Sequence, residues 1–265
     1  MIRYFLGSIG RSFLNGVHSA LVVCVLIMDT LNWLFLQPVL GRGLRWRSAV
    51  EHFVEYGFHS IPIVGLISLL VGIIMGMQSA YTLQQWGATI FMANLVGISA
   101  LRELAPLMSA ILITGRSGSA ITAEIGTMKV SEEVDALMVM GLNPVKFLVV
   151  PKFLGMVIAV PCVTVLSMAI MIAGGFIVAV GILGIDFWAY FDQTASALVS
   201  KDLFSGMVKS IFFGLTICWV GIYRGFQVEG SAESVGKMTT SSVVTSIFTI
   251  IIVDLVWTAL FYFTE

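Results

Sequence analysis

The chain has 265 residues, of which 58% are hydrophobic and only 11% are charged, and its formal net charge is −1. An average soluble domain has about 25% charged residues, so this composition excludes a soluble globular protein and indicates an integral membrane protein. Each membrane-spanning helix needs about 20 residues, so the length accommodates about five or six spans and no sizeable soluble domain.

The first apolar run extends from Phe13 to Leu40 and has arginines on both sides. Because positively charged residues favour the cytoplasmic side, both ends of the run are expected in the cytoplasm. Asp29 and Asn32 interrupt its middle, which favours an interfacial or re-entrant helical pair over a sixth span. Residues 1–60 are therefore predicted to form an N-terminal interfacial region.

The stretch from Leu44 to His59 has apolar residues on one helical face, among them Trp46 and Phe53, and polar residues on the other. This pattern is typical of a helix that lies in the membrane surface. It fits either an elbow helix that supports the first span or a short amphipathic connector.

Five later stretches are apolar enough to cross the membrane. The spans are predicted near residues 61–82, 94–118, 150–184, 203–223 and 240–263. A cytoplasmic position for the 119–150 loop leaves most lysines and arginines inside and the C-terminus outside. The predicted fold class is an all-α integral membrane protein with about five transmembrane helices, in which residues 61–265 form one transmembrane domain.

The loop after the second span carries the densest group of charges in the chain, and residues 124–142 are predicted to form a cytoplasmic helix. Ser131 is the expected N-cap, and Gly141 is the expected stop. The helix either folds against the chain's own spans or docks on a partner, and periodicity alone does not separate the two. Its candidate contact residues are Glu124, Glu132, Glu133, Val134, Asp135, Leu137, Met138 and Gly141.

Four charges fall deep inside predicted spans, away from the cytoplasmic ends: Arg102, Glu103, Lys209 and Asp254. Each costs roughly 2.5–3.5 kcal/mol unless it is paired or hydrated. At 1.5 Å per residue, all four are expected about 9–14 Å below the outer surface. Lys209 and Asp254 are predicted to form an ion pair. Arg102 and Glu103 diverge on their helix, so at least one of them is expected to face a polar cavity.

The run from Leu101 to Pro144 resembles the signature of the MlaE family, the permeases of bacterial phospholipid transporters that work with MCE-domain proteins. The likeness extends over nearly the full length, although the first 50 residues carry little motif information. It implies a transmembrane permease domain and a location in the bacterial inner membrane. The implied function is to maintain outer-membrane lipid asymmetry or to move lipid between membranes.

The resemblance also implies partners. MlaE-like permeases form homodimers, bind two copies of a cytoplasmic ABC ATPase through the segment matching Glu124 to Gly141, and sit beneath a ring of MCE-domain subunits. A STAS-domain protein often binds the ATPase. A central cavity holds phospholipid, with the positions matching Tyr81, Arg102 and Glu103 in or near it. Apolar residues of the first span are expected to line the rest of this cavity: Leu66, Leu69, Leu70, Ile73 and Met77.

No catalytic site is predicted. The nearest approach to a phosphate-binding loop, Gly230 to Met238, has the wrong glycine spacing and no Ser or Thr for magnesium. A partner is therefore expected to bind ATP and Mg²⁺, and no cofactor, metal or nucleic acid is expected on this chain. The alternative is a proton-coupled secondary transporter in which Asp254, Glu103 and Lys209 relay protons.

Overall fold

The computed structural model describes residues 21, 23–36 and 45–264, which contain helices and no strand. Five of the helices are long and apolar enough to cross a membrane, which confirms the predicted fold class. We call them span 1 (Ile61–Gln84), span 2 (Thr89–Val130), span 3 (Val145–Gly181), span 4 (Ser200–Phe226) and span 5 (Ala232–Thr264).

Shorter helices occupy the surfaces at the ends of the spans. A surface helix (Trp46–Tyr56) leads into span 1 through a 3₁₀ turn at Phe58–Ser60. A loop helix (Glu133–Val139) lies between spans 2 and 3, and an outer helix (Phe187–Ala197) lies between spans 3 and 4.

The N-terminal region is described only in part. Residues Val23–Leu34 form an apolar helix, and two of its side chains pack against the main hydrophobic core. Most of the rest of the run from Phe13 to Leu40, and most of its flanking arginines, lie outside the described residues. The choice between a re-entrant pair and a sixth span therefore stays a prediction.

Span 3 is the central helix of the described fold. It packs against span 1 on one side and against span 4 and the surface helix elsewhere. Gly72 lets spans 1 and 3 touch through their backbones, because a Cβ there would lie 2.1 Å from the carbonyl oxygen of Met171. Ser68 and Ser167 join the same two helices by a hydrogen bond of 2.7 Å. Small residues and interhelical hydrogen bonds are the usual basis of helix pairing in membranes.

Span 2 is longer than the sequence predicts. Its 42 residues extend about 63 Å at 1.5 Å per residue, roughly twice the thickness of the hydrocarbon core. The segment Ser119–Val130 belongs to this continuous helix, so the prediction of a separate helix that starts at residue 124 is wrong. The physical reason is that a helix does not have to end where its apolar composition ends.

The loop helix begins differently from the prediction. Ser131 closes the last turn of span 2, where its hydroxyl donates to the carbonyl oxygen of Thr127 at 2.9 Å. Glu132 follows with φ of +60°, and the loop helix starts at Glu133. The N-cap prediction for Ser131 is therefore wrong, because its hydroxyl bonds back along span 2. Gly141 has φ of +74°, as a glycine stop requires.

Candidate functional site in the membrane

Lys209 is the centre of a polar group inside the membrane. Its side chain is only 1% exposed, and its Nζ lies 2.6 Å from Glu103 Oε2, 2.7 Å from Thr258 Oγ1 and 3.0 Å from Asp254 Oδ1. The Thr258 hydroxyl lies 3.1 Å from Glu103 Oε1, to which it can donate. An ammonium group has three donors, and three acceptors surround it here. The predicted pair of Lys209 and Asp254 is thus part of a four-residue group that joins spans 2, 4 and 5.

Arg102 points to a different partner from its neighbour Glu103. Its Nε lies 2.5 Å from Asp202 Oδ1, and the Asp202 carboxylate is almost fully buried. The other oxygen of Asp202 accepts the backbone N–H of Val199 at 3.1 Å. This ion pair connects span 2 to the outer end of span 4. Adjacent residues on a helix point about 100° apart, which explains why the two charges reach different partners.

The charged groups of this region lie at the surface of the chain as well as in its interior. Two carboxylates share one ammonium, so the Lys209 group has a formal charge of −1. Arg102 and Glu103 are each about one-third exposed, at 33% and 37%. Both therefore border the surface of this chain and are within reach of a ligand. A guanidinium group in such a position can exchange a carboxylate for a phosphate oxygen.

Span 1 presents a continuous apolar stripe on its exposed face. The side chains recur every three or four residues, which places them on one side of the helix. The stripe consists of Ile63, Leu66, Leu70, Ile74, Met77 and Tyr81. Four of the predicted cavity residues are in this stripe. Two others are not: Leu69 is half-buried, and Ile73 packs against the core beside Val178 and Tyr190.

The apolar residues of the cytoplasmic loop separate into two sets. Val134 and Leu137 are 4% and 8% exposed and pack with Leu148 against the chain's own spans. They are not available on the surface, so for these two the self-packing interpretation holds. The exposed apolar residues follow them in sequence: Met138, Val139, Met140 and Leu142. The loop helix ends at Val139, and the turn that follows presents its side chains outward.

The charged residues of this loop are partly used within the chain. Lys129 binds Asp135 at 3.0 Å, and Glu133 Oε1 lies 2.9 Å from the Ser131 hydroxyl, where it is an alternative acceptor to the Thr127 carbonyl oxygen. Glu124 lies on span 2 and forms an ion pair with Lys152 of span 3, whose side chain is fully buried. Glu132 is exposed. The position of Glu124 favours a role in holding spans 2 and 3 together over direct contact with a partner.

Sequence reasoning missed three residues of these groups. Thr258 lies one helical turn from Asp254, so helix periodicity was the available signal. Asp202 lies one residue outside the predicted start of span 4 and was therefore treated as part of a loop. Lys152 lies at the cytoplasmic end of the predicted third span, where positive charge is expected on the inner side, and the sequence does not show that Glu124 pairs with it in a buried position.

The helices and the ionic group together indicate the class of protein. Five apolar helices and an ionic group buried among three of them define a multi-pass membrane protein. Among the residues that the structure describes, no three His, Cys, Asp or Glu side chains form a group suited to a metal ion.

Comparison with known proteins identifies the family. The family model "Permease MlaE" matches residues 49–260, and the chain belongs to this family. A probable ABC transporter permease protein of Rickettsia prowazekii is 31% identical over 236 residues, covering 89% of this chain and 91% of the relative. The family assignment makes this chain a permease subunit without catalytic activity of its own.

Two further relatives are named for lipid-related systems. The intermembrane phospholipid transport system permease protein MlaE of Haemophilus influenzae is 34% identical over 216 residues, 80% of this chain and 82% of the relative. The chloroplastic protein TRIGALACTOSYLDIACYLGLYCEROL 1 of Arabidopsis thaliana is 31% identical over 224 residues, 84% of this chain and 64% of the relative.

Proposed function

We propose that this chain is the permease subunit of an ATP-driven phospholipid transporter in the bacterial inner membrane. It acts as a homodimer that moves lipid between membranes or maintains outer-membrane lipid asymmetry. The observation that carries the proposal is the ionic group around Lys209, which joins three spans inside the membrane of an MlaE-family chain. The Haemophilus relative is named as a phospholipid transport permease, which supports phospholipid as the substrate.

A phospholipid offers an anionic phosphate and two apolar tails, and the outer half of the chain has surfaces for both. The guanidinium group of Arg102 donates two parallel hydrogen bonds to the phosphate. The phosphate competes with Asp202 for this guanidinium group. The exposed stripe of span 1 receives the tails, and Tyr81 places its ring against a tail and its hydroxyl near the head group. The lipid then bridges spans 1 and 2.

The proposed homodimer follows from uneven burial of the spans. In the most apolar stretch of spans 2 and 3, half of the residues are buried inside the chain. The buried share is 28% for span 1 and 11% for span 5. Spans 1 and 5 thus have the largest faces left for a second copy or for lipid. A two-fold arrangement brings the two copies of the span 1 stripe into a shared cavity.

The energy is supplied by a separate ABC ATPase, which binds ATP and Mg²⁺ at the cytoplasmic face. Its contact is the exposed surface formed by Met138, Val139, Met140 and Leu142. A STAS-domain protein binds that ATPase, and a ring of MCE-domain subunits covers the outer face. The alternative, a proton-coupled transporter, uses Glu103, Lys209 and Asp254 as a relay and needs no ATPase.

Photo-crosslinking tests the lipid site. A photoreactive amino acid at Leu70 or Tyr81 is expected to capture phospholipid even when irradiation follows purification in detergent, because a lipid inside a cavity exchanges slowly. Mass spectrometry of the crosslinked peptide provides the measurement.

Ile177 of span 3 is the matched control, because it is 51% exposed and Leu70 is 45% exposed. It is expected to capture lipid in cells but to lose the signal after purification. Equal capture at Leu70, Tyr81 and Ile177 after purification would mean that only bulk lipid was sampled, which would contradict a cavity at the stripe.

A further inference from the structure

The outer helix is firmly attached to the membrane domain on one face only. Asp186 caps its first turn by accepting the backbone N–H groups of Trp188 and Ala189 at 3.0 and 3.1 Å. Tyr190 and Thr194 are buried against the spans, at 1% and 7% exposed. Gln193 donates to Asn94 of span 2 at 2.8 Å.

The remaining circumference of the outer helix is divided into two faces. At about 100° per residue, one exposed face is aromatic and the other is polar, with their centres roughly 120° apart. The aromatic face consists of Phe187, Trp188 and Phe191, and the polar face includes Asp192 and Ser196. A helix with a protein-facing, an apolar and a polar side fits the boundary where a membrane protein, lipid and water meet.

A contact with span 3 gives the depth of the aromatic face. The ring of Phe176 lies 5.6 Å from that of Phe187 and 6.4 Å from that of Phe191. Phe176 precedes the end of span 3 at Gly181 by five residues, about 8 Å of helix. The aromatic side chains therefore lie beside the last turns of a membrane span and not above them.

We propose that the outer helix lies flat in the outer leaflet of the membrane and binds the lipid surface through Phe187, Trp188 and Phe191. The rings occupy the boundary between head groups and acyl chains, where aromatic residues are enriched, and the polar face meets water. Ile177, near the end of span 3, and Ile182, directly after it, are exposed apolar residues as well. This inference depends on the membrane topology and not on the identity of the transported substrate.

Fluorescence quenching in vesicles tests this placement. Cys24 and Cys162 are replaced, buried Cys218 is kept, and a single cysteine at Trp188 or Ser196 carries an environment-sensitive fluorophore. The full-length permease is reconstituted into phosphatidylcholine vesicles. Spin-labelled phosphatidylcholine is expected to quench position 188 at least threefold more than position 196, and aqueous iodide is expected to show the opposite order.

Phe191→Cys provides a second site on the aromatic face if the first variant fails to reconstitute. Strong iodide quenching at 188 and 191, equal to that at 196 and without quenching by labelled lipid, would overturn the proposal. The aromatic face would then stand in water and be open to a protein partner. Because no ATPase or transport is involved, failure of the proposed lipid transport would leave this result unaffected.

Discussion

Replacing Lys209 with methionine is expected to abolish transport and to lower the stability of the permease. The substitution leaves Glu103 and Asp254 without their shared cation. Breaking a fully buried ion pair by removing one partner costs about 3–5 kcal/mol, and the cost here is smaller because Glu103 is partly exposed. We expect a lower thermal midpoint for the purified permease and at least a tenfold loss of transport.

A control variant and a compensating variant distinguish the loss of the lysine charge from a loss of folding. Lys201→Met removes a lysine from the exposed outer end of span 4 and is expected to leave both measurements unchanged. Combining Lys209→Met with Glu103→Gln removes one of the stranded carboxylates and is expected to recover part of the stability but not the transport. A Lys209→Met protein with normal stability and transport would show that the ionic group is dispensable.

The second large effect is expected at the cytoplasmic loop. Met140→Asp places a charge in the exposed apolar surface, and the ATPase is expected to be lost on purification while the permease still inserts and dimerises. Removal of one of the few hot-spot residues at the centre of an interface costs about 2 kcal/mol or more, which is about a 30-fold loss of affinity. Recovery of the ATPase on affinity-purified permease provides the measurement.

Two other variants are compared with Met140→Asp, one at a buried position and one at an exposed position elsewhere. Leu137→Asp introduces a charge into a buried position and is expected to disturb the packing of the loop, so it lowers the thermal midpoint as well as ATPase recovery. Ser231→Asp, in the exposed loop between spans 4 and 5, is expected to change neither. Full ATPase recovery with Met140→Asp would exclude this surface as the docking site.

The five spans after residue 60 and their order are predictable from the sequence, because a run of apolar residues has few stable alternatives inside a membrane. The residues at which the helices end are not predictable from the sequence. Span 2 continues through Ser119–Val130 because helical hydrogen bonding goes on beyond the hydrocarbon layer, where apolar composition gives no signal. Periodicity likewise marks Val134 and Leu137 as one stripe but does not show that the chain's own Leu148 covers it.

The candidate site is predictable in its charges but not in its pairings. An ionisable residue within a span is rare enough to mark Glu103, Lys209 and Asp254 without a structure. Which groups meet depends on the rotation and level of three helices, and those are set by packing. Asp202 illustrates the limit, because span 4 starts at Ser200, three residues before its predicted start, and Asp202 in its first turn forms an ion pair with Arg102.

ATP-driven lipid movement in proteoliposomes tests the central claim most directly. The permease and its co-purified ATPase are reconstituted together with a fluorescent phospholipid, and the change in lipid accessibility is followed after addition of ATP and Mg²⁺. The account predicts movement that requires hydrolysable ATP, persists when a protonophore is present, and is absent with Lys209→Met. Movement by the permease alone, driven by a proton gradient and abolished by the protonophore, would contradict it.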